Sequence, residues 1–280
     1  MPELPEVQAH AERVGRDFAG RVLVRFTPIT FTALKTAVPP PEAAYGEPLI
    51  GVGRRGKFIV LEFESVQFAV HLMQGGRLLV DEKQSAKPRG GQARFVFDEG
   101  PALLLTEAGT ERRAGVWAYP RGQALMSPPL SELGPEADTV SPELMQALFL
   151  GHKNQRIHGF LRDQHALAGL GRRLANEICH RARISPFAMT HKLGEQGAAA
   201  VVAAIRETVD EGLTYERTRS DMSASKDRPG GVHGRTGEPC PRCGDTIRAV
   251  EYSGYTVSYC PTCQTGGKVL ADNTTSRFLK

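Results

Sequence analysis

The sequence predicts an α+β protein of two domains: a mostly-β half that starts with a helix, then a helical half that ends in a metal-binding hairpin. Three observations predict it. Short runs rich in Val, Ile, Leu and Phe recur between residues 22 and 106. After the proline-rich stretch 127–139 the apolar residues switch to helical spacing. Two Cys-x-x-Cys pairs then close the chain at Cys240, Cys243, Cys260 and Cys263. Alternating runs mark strands, a 3.6-residue spacing marks helices, and paired cysteines mark a zinc site.

Residues 5–18 read as a helix, because Val7, Ala11, Val14 and Phe18 share one face, Pro5 suits the first turn and Gly20 suits the stop. "VLVRF", "KFIVLEFE", "FAVHL" and "GRLLV" follow as strands, then "ARFVF" and "ALLLT" as a hairpin across Asp98-Glu99-Gly100. Residues 1–125 are therefore expected to form the first domain and 126–139 a linker, which carries three prolines in "SPPLSELGPEADT". Residues 140–237 are expected to be helical. Ser141-Pro142 reads as an N-cap with proline in the first turn, "AGLG" as a tight turn between two helices, and "EQGAAAVVAAIRETVDEG" as a helix with Val201, Ala204, Ile205 and Val209 inward. The polar, Gly-rich run 216–238 reads as a mobile loop, and 238–280 as a zinc finger with a tail.

Hydrophobic residues make up 40% and charged residues 24%, which excludes wholesale disorder. Residues 1–20 lack an apolar core for a signal peptide, and the longest apolar run, Ala198 to Ile205, is too short to cross a bilayer. The expectation is a cytoplasmic protein, acting as a monomer, with no membrane partner. A net charge of +4 is small, yet His152 to Arg183 holds seven Lys/Arg against Asp163 and Glu177. That run is either a solvated helix face or a nucleic-acid surface.

Two Cys-x-x-Cys turns can each aim two thiolates at one point, which gives Zn2+ its tetrahedral set and leaves no open position for chemistry. With strand-like "IRAVEY" and "TVSYC" between the pairs, the expected cofactor is one structural zinc in a β-hairpin. Cys179 is left over as a buried helix residue.

The start, "MPELPEV", has two readings. Pro2, Glu3, Pro5 and Glu6 punctuate the first helix, with the carboxylates at its positive end. Alternatively, removal of Met1 ahead of a small residue exposes the secondary amine of Pro2, whose reference pKa of about 8 leaves part of it unprotonated near neutrality. Such an amine can attack an electrophilic sugar carbon, with Glu3 moving protons.

"MPELPEV", "RRGKF", "HL…GGRLLV", "DQHALAGLG", "VHGRTGEPCPRCG" and "YCPTCQ", in that order, make the chain similar to the formamidopyrimidine-DNA glycosylase / endonuclease VIII family. The resemblance implies an N-terminal β-sandwich, a helix–two-turns–helix domain with a zinc finger, and double-stranded DNA carrying an oxidised base or abasic site as partner. It implies a bifunctional glycosylase and abasic-site lyase in base-excision repair, in which Pro2 attacks C1′ and β,δ-elimination nicks the strand. Glu3 would be the acid/base, Lys57 would hold the phosphate flanking the lesion, and Glu6 would complete the catalytic set. Gln74, Arg112, Arg113, Arg172, Asn176 and Tyr255 would form the DNA-facing set. The alternative is a protein of the same fold that binds damaged or abasic DNA without turnover.

The lesion-reading positions depart from the family pattern. Gln74 stands where purine-excising members have a wedge methionine, with Met73 one place early, and Ala114 stands where they have phenylalanine. Arg172 replaces an asparagine, and Tyr255 occupies the place of the hairpin's phosphate-gripping arginine, with Arg248 or Arg277 as possible substitutes. An abasic site, a damaged pyrimidine or a hydantoin is therefore as good a candidate as 8-oxoguanine.

Overall fold

The computed structural model describes residues 1–109, 111–222, 227–252 and 254–270. They separate into two compact units, Met1–Leu133 with Leu213–Ala224, and Gly134–Gly212 with Ser225–Lys280.

The first unit opens with α1 (Leu4–Phe18) and continues through β1 (Leu23–Pro28), β2 (Gly51–Arg55), β3 (Phe58–Glu62), β4 (Val66–His71), β5 (Gly76–Asp81), β6 (Gly91–Phe97), β7 (Ala102–Glu107) and β8 (Gly115–Pro120). They form two antiparallel sheets, ordered β1-β6-β7-β5 and β2-β3-β4-β8. Aromatic side chains from both sheets meet in the middle. Phe26 and Phe95 of the first lie 5.8 and 5.4 Å from Phe68 of the second, centroid to centroid. This is a β-sandwich core. Val7, Ala11, Val14 and Phe18 of α1 are buried in the same core.

Two strands were missed in the sequence. β2 carries Gly51, Gly53, Arg54 and Arg55, and β8 begins at a glycine and ends at a proline. Both pair normally, β2 with β3 and β8 with β4. Their register supplies what their composition lacks, since strand preference is mostly a matter of context.

The second unit holds α2 (Pro142–Gly151), α3 (Ile157–Arg162), α4 (Arg172–Arg181), most of α5 (Gly194–Arg217), the hairpin β9 (Arg248–Tyr252) and β10 (Tyr255–Tyr259), and the short α6 (Pro261–Thr265). Ser141 caps α2, its hydroxyl oxygen accepting the Leu144 N–H. Gln164 sets the turn between α3 and α4: its amide nitrogen donates to the Leu170 carbonyl and its amide oxygen accepts the Gly169 N–H. Gly169, at φ +102°, takes a backbone conformation that side chains avoid.

Two details go beyond the expectations. Leu213–Ala224, inside the stretch expected to be helical, does not group with the rest of it but, by its contacts, with the first unit. The reason is contact with α1: Arg217 pairs with Glu12 at 2.7 Å, Arg13 donates to the Glu216 carbonyl, and Met222 enters the sandwich core. Nor is 216–238 uniformly a loop. Residues 216 and 217 are helical, and Gly231, Val232 and His233 all donate backbone N–H groups to the Glu177 carboxylate.

Candidate active site and metal centre

The N-terminus of α1 is built by a capping box. Glu3 is the N-cap, its carboxylate accepting the Glu6 backbone N–H, while the Glu6 carboxylate accepts the Glu3 N–H at 2.9 Å. Each carboxylate thus satisfies a helix-end donor, and their charges sit at the positive end of the helix. Glu6 is fully buried and Glu3 is 4% exposed. Pro2 is buried beside them.

Lys57 sits in the turn between β2 and β3 and is 7% exposed, with Nζ 4.0 Å from the Met1 sulfur. The basic turn is not a solvated one. Arg54 donates to Gln8 of α1 and to the Gly56 carbonyl, and Arg55 donates to the Leu133 carbonyl at 2.8 Å. Both arginines therefore fix the turn that carries Lys57. Behind it, the His71 ring packs on Phe58 and its Nδ1 accepts the Met73 N–H at 3.1 Å. Burial and the nearby Lys57 push His71 down to about 4, so the ring is neutral.

Glu3, Glu6, Lys57 and Arg77 all act electrostatically on the terminal amine. In the chain with Met1 present that amine is the methionine's, and it stands in for the Pro2 amine one residue on. Burial lowers its pKa from 8.0, Arg77 and Lys57 push the same way, and the carboxylates oppose them. Arg77, on β5, was absent from the sequence-derived set, because "GRLLV" reads only as a strand. The combination is a terminal amine of depressed pKa on the exposed Met1, the buried Pro2 behind it, and two carboxylates and two cations acting on that amine. It can supply a neutral nucleophile, a proton carrier and an anion contact together.

The loop residues lie on the β5–β7 side of the sandwich. Gln74 is exposed in the turn 73–75, and Arg112 and Arg113 are exposed in the segment before β8. Met73 and Arg112 both have positive φ, at 49° and 45°. The two segments touch where the Ala108 N–H donates to the Gly75 carbonyl; a Cβ on Gly75 would lie 2.6 Å from the Ala108 oxygen. Ala114 is fully buried and its N–H donates to the Glu107 carboxylate at 2.6 Å. No apolar wedge stands at that position, and the exposed polar groups are Gln74 and Arg112. Arg113 is held by Glu111 at 3.2 Å.

In the second unit Arg172 is exposed at the first turn of α4. Asn176 is not a surface group. It is fully buried, with its amide nitrogen 2.8 Å from His233 Nδ1, so it ties α4 to the segment that Glu177 also clasps. Asn176, expected in the DNA-facing set, is thus placed inside the second unit rather than on its surface. The signal for the Glu177 clasp lay in Gly230-Gly231, since a Cβ at either would lie 2.8 or 2.9 Å from a Glu177 oxygen. Tyr255 stands at the tip of the zinc hairpin, opposite Tyr252. Arg248 pairs with Tyr259 at the hairpin's root, four residues from the tip, and Arg277 lies outside the described residues.

Cys240, Cys243, Cys260 and Cys263 place their sulfurs within 4.8 Å of one another, with 3.9 Å between Cys240 and Cys263 and 3.4 Å between Cys243 and Cys260. A tetrahedron of sulfurs about 2.3 Å from a zinc ion has edges of about 3.8 Å, so the set fits one Zn2+. His180 approaches the Cys240 sulfur at 3.3 Å as an outer partner, and the Arg242 side chain donates to the His180 carbonyl. Among the described residues, the apolar cluster at the cysteines adds Val232 and Ile247. That core is too small to fold the hairpin, and the metal's role is structural. Cys179 is buried and its thiol is pushed up to about 12, which leaves it inert. Among the described residues no helix is long and apolar enough to cross a membrane.

Comparison with known proteins agrees with this arrangement. Residues 1–117 match the formamidopyrimidine-DNA glycosylase N-terminal domain, 133–224 the formamidopyrimidine-DNA glycosylase H2TH domain, and 237–266 a zinc finger found in FPG and IleRS. An uncharacterised formamidopyrimidine-DNA glycosylase-like protein of Mycobacterium tuberculosis is 42% identical over 157 residues, covering 53% of this chain and 94% of that protein. The formamidopyrimidine-DNA glycosylase of Pelotomaculum thermopropionicum is 30% identical over 279 residues, covering 94% of this chain and 99% of the relative. Lactococcus lactis Fpg, solved with oxidised-pyrimidine-containing DNA, superposes with a TM-score of 0.85 at 22% identity, covering 94% of this chain and all of that one. The likeness to the solved structure is one of fold.

Proposed function

This chain belongs to the formamidopyrimidine-DNA glycosylase family, and we propose that it is a base-excision DNA glycosylase with abasic-site lyase activity, working through the amine of Pro2. The observation that carries the reading is the cluster at the start of α1: Pro2 buried beside the capping-box carboxylates Glu3 and Glu6, with the buried Lys57 reaching Met1 from the turn between β2 and β3.

The sequence of steps follows from these groups. With Met1 removed, the Pro2 nitrogen, unprotonated, attacks C1′ of a nucleotide taken out of the helical stack. The C1′–base bond breaks and its electron pair leaves with the base, which takes up a proton. Opening of the sugar ring gives an iminium between Pro2 and C1′, with Glu3 carrying the proton to the ring oxygen. The iminium accepts the electron pair released when a proton leaves C2′, and the 3′ C–O bond breaks. A second elimination breaks the 5′ C–O bond, and water frees Pro2. Lys57, fixed by the Arg54 and Arg55 contacts, binds the adjacent phosphate. Glu6 enters this scheme through the capping box: it holds the Glu3 backbone and thereby the angle at which Pro2 projects.

The partner is double-stranded DNA with an oxidised base or abasic site. Loss of the apolar wedge at 74 and 114 supports a lesion whose excision does not need a large side chain to fill the stack, namely an abasic site, a damaged pyrimidine or a hydantoin. In the same reading Gln74 and Arg112 hydrogen-bond the orphaned base.

The test is to place one extra residue ahead of Pro2. The expected outcome is loss of strand cleavage with binding to an abasic duplex retained. Cleavage at the unmodified rate would remove Pro2 from the chemistry and favour a fold that binds damage without turnover.

A further inference from the structure

The zinc hairpin presents an aromatic residue, Tyr255, at its tip, and a cation from another element lies on it. The Arg162 guanidinium carbon, at the end of α3, is 3.9 Å from the centre of the Tyr255 ring. A guanidinium stacked this way uses its face and leaves its in-plane N–H groups pointing outward. Among the described residues, no carboxylate lies within ion-pair distance of Arg162 and none of its side-chain donors meets a protein acceptor. The charge is half-buried, braced and uncommitted.

The same device recurs beside it. Tyr255 lines a cleft of about 220 Å³ together with Gln155, Arg156, His158 and Phe187, and Arg156 lies 5.1 Å over the Phe187 ring. Arg156 also lacks a carboxylate partner among the described residues. Two polar atoms in this lining point to a ligand. His158 is 2% exposed with no partner at Nε2, and Gln155 has none at Oε1. The His158 ring stacks on Tyr255, with centroids 5.9 Å apart. Burial first, and then Arg162, push His158 down to about 3, so it is a neutral donor that brings no charge of its own. The cation that lines the cleft is Arg156, and Arg162 lies on the Tyr255 ring; both belong to the run 152–183 that carries the chain's local basic excess.

We infer that Arg162, braced on Tyr255, binds a backbone phosphate of DNA, with Arg156 on Phe187 as a second cation in the cleft that Tyr255 also lines. This chain thereby carries a positive charge at the junction of α3 and the hairpin tip, while the hairpin's own Arg248 stands at its root, and Tyr255 serves as a platform rather than as a contact. The in-plane fork of arginine suits phosphate oxygens, and the aromatic face removes the freedom the side chain would otherwise lose on binding.

The inference rests on the reading of the chain as a DNA-binding enzyme, and the experiment separates the two. Affinity of the full-length, zinc-loaded protein for a duplex with a stable abasic analogue is measured across a salt series for the wild type, R162A, R162Q and Y255A. Each phosphate contact contributes a slope of about 0.9 in the log–log salt dependence, or roughly eightfold in affinity at 0.1 M salt. R162A and R162Q are each expected to lose that much, with a slope shallower by about 0.9. Y255A is expected to weaken binding less, and the R162A/Y255A double variant to bind no worse than R162A. R162Q keeps a polar side chain with the same β, γ and δ carbon positions but no charge, so it reads the charge even where R162A disturbs the hairpin. Wild-type affinity and slope in R162Q, with the wild type itself binding in a salt-dependent way, would overturn the inference and leave the enzyme reading standing. No salt-dependent binding by the wild type would overturn both.

Discussion

At the residue scale, the account separates groups that carry chemistry from groups that hold them. Glu3 and Glu6 look alike in "PELPE", yet they do different work. Glu3→Gln keeps an oxygen for the Glu6 N–H, so the cap survives while the proton carrier is lost. The expected result is excision of an intact damaged base slowed by about 10²-fold or more, within the range for a positioned acid–base group. Cleavage at a pre-formed abasic site should slow far less; equal slowing of both would remove Glu3 from base excision. Glu6→Ala removes a buried acceptor from the Glu3 N–H and is expected to cost about 1 kcal/mol of stability, as lost caps do, alongside slower turnover. Full turnover in a protein of reduced thermal midpoint would show that the box is structural only.

Histidines give a second residue-scale prediction. His10 and His71 are both lowered to about 4, in each case first by burial, with Arg13 and Lys57 as the nearest aggravating charges. Unfolded histidine takes up its proton near 6.5, so the neutral folded rings contribute stability that is present above about 6.5 and is lost as pH falls towards 4. Imidazole resonances of both should stay in the neutral form from pH 8 to 5. A midpoint near 6.5 for either would contradict its burial.

At the element scale, the Glu177 carboxylate and the segment 231–233 form a clasp whose signal in the sequence is Gly230-Gly231. Glu177 is half-buried, so removing an acceptor that serves these three donors is expected to cost about 1 kcal/mol, the low end for a lost acceptor. Glu177→Ala is accordingly expected to lower the thermal midpoint and to speed amide exchange at Gly231, Val232 and His233, while α1 and the sandwich stay protected. Unchanged exchange at those three amides would show the clasp to be inessential. The elements themselves were legible to unequal degrees. α1, α2 and the hairpin β9–β10 could be read because their signals are local: a stripe of apolar residues, a Ser-Pro cap, and cysteine pairs. β2 and β8 could not, because Gly51, Gly53 and Gly115 have no strand preference and only pairing with β3 and β4 makes them strands. The junction of Leu213–Ala224 with α1 was equally hidden, since the residues involved lie about two hundred positions apart.

At the scale of the whole molecule, the sequence carried the family and the zinc site further than it carried the surface. The motifs around Pro2, Glu3 and the four cysteines are short and specific, and the one around Lys57 is looser. A motif gives no burial, so it does not show that Asn176 lies inside, and the placements of Arg77 and Arg162 depend on neighbours distant in sequence. The zinc hairpin allows a test at this scale. Chelation of the metal is expected to unfold residues 238–266, where, among the described residues, Val232 and Ile247 accompany the cysteines in the apolar cluster, and to abolish binding to an abasic duplex. The sandwich should remain folded, and restoring zinc should restore binding. Undiminished binding after complete chelation would show that the hairpin takes no part in holding DNA.

The central claim is that the chain's own terminal amine is the reagent, and borohydride trapping tests it most directly. Protein freed of Met1 is incubated with duplexes carrying an abasic site, 8-oxoguanine, a hydantoin, 5-hydroxyuracil or thymine glycol, and the imine is reduced in place. A covalent adduct is expected on at least the abasic duplex, mapped by peptide mass to Pro2. An adduct mapped to a lysine instead, or none on any of the five from protein that still binds the abasic duplex, would contradict it.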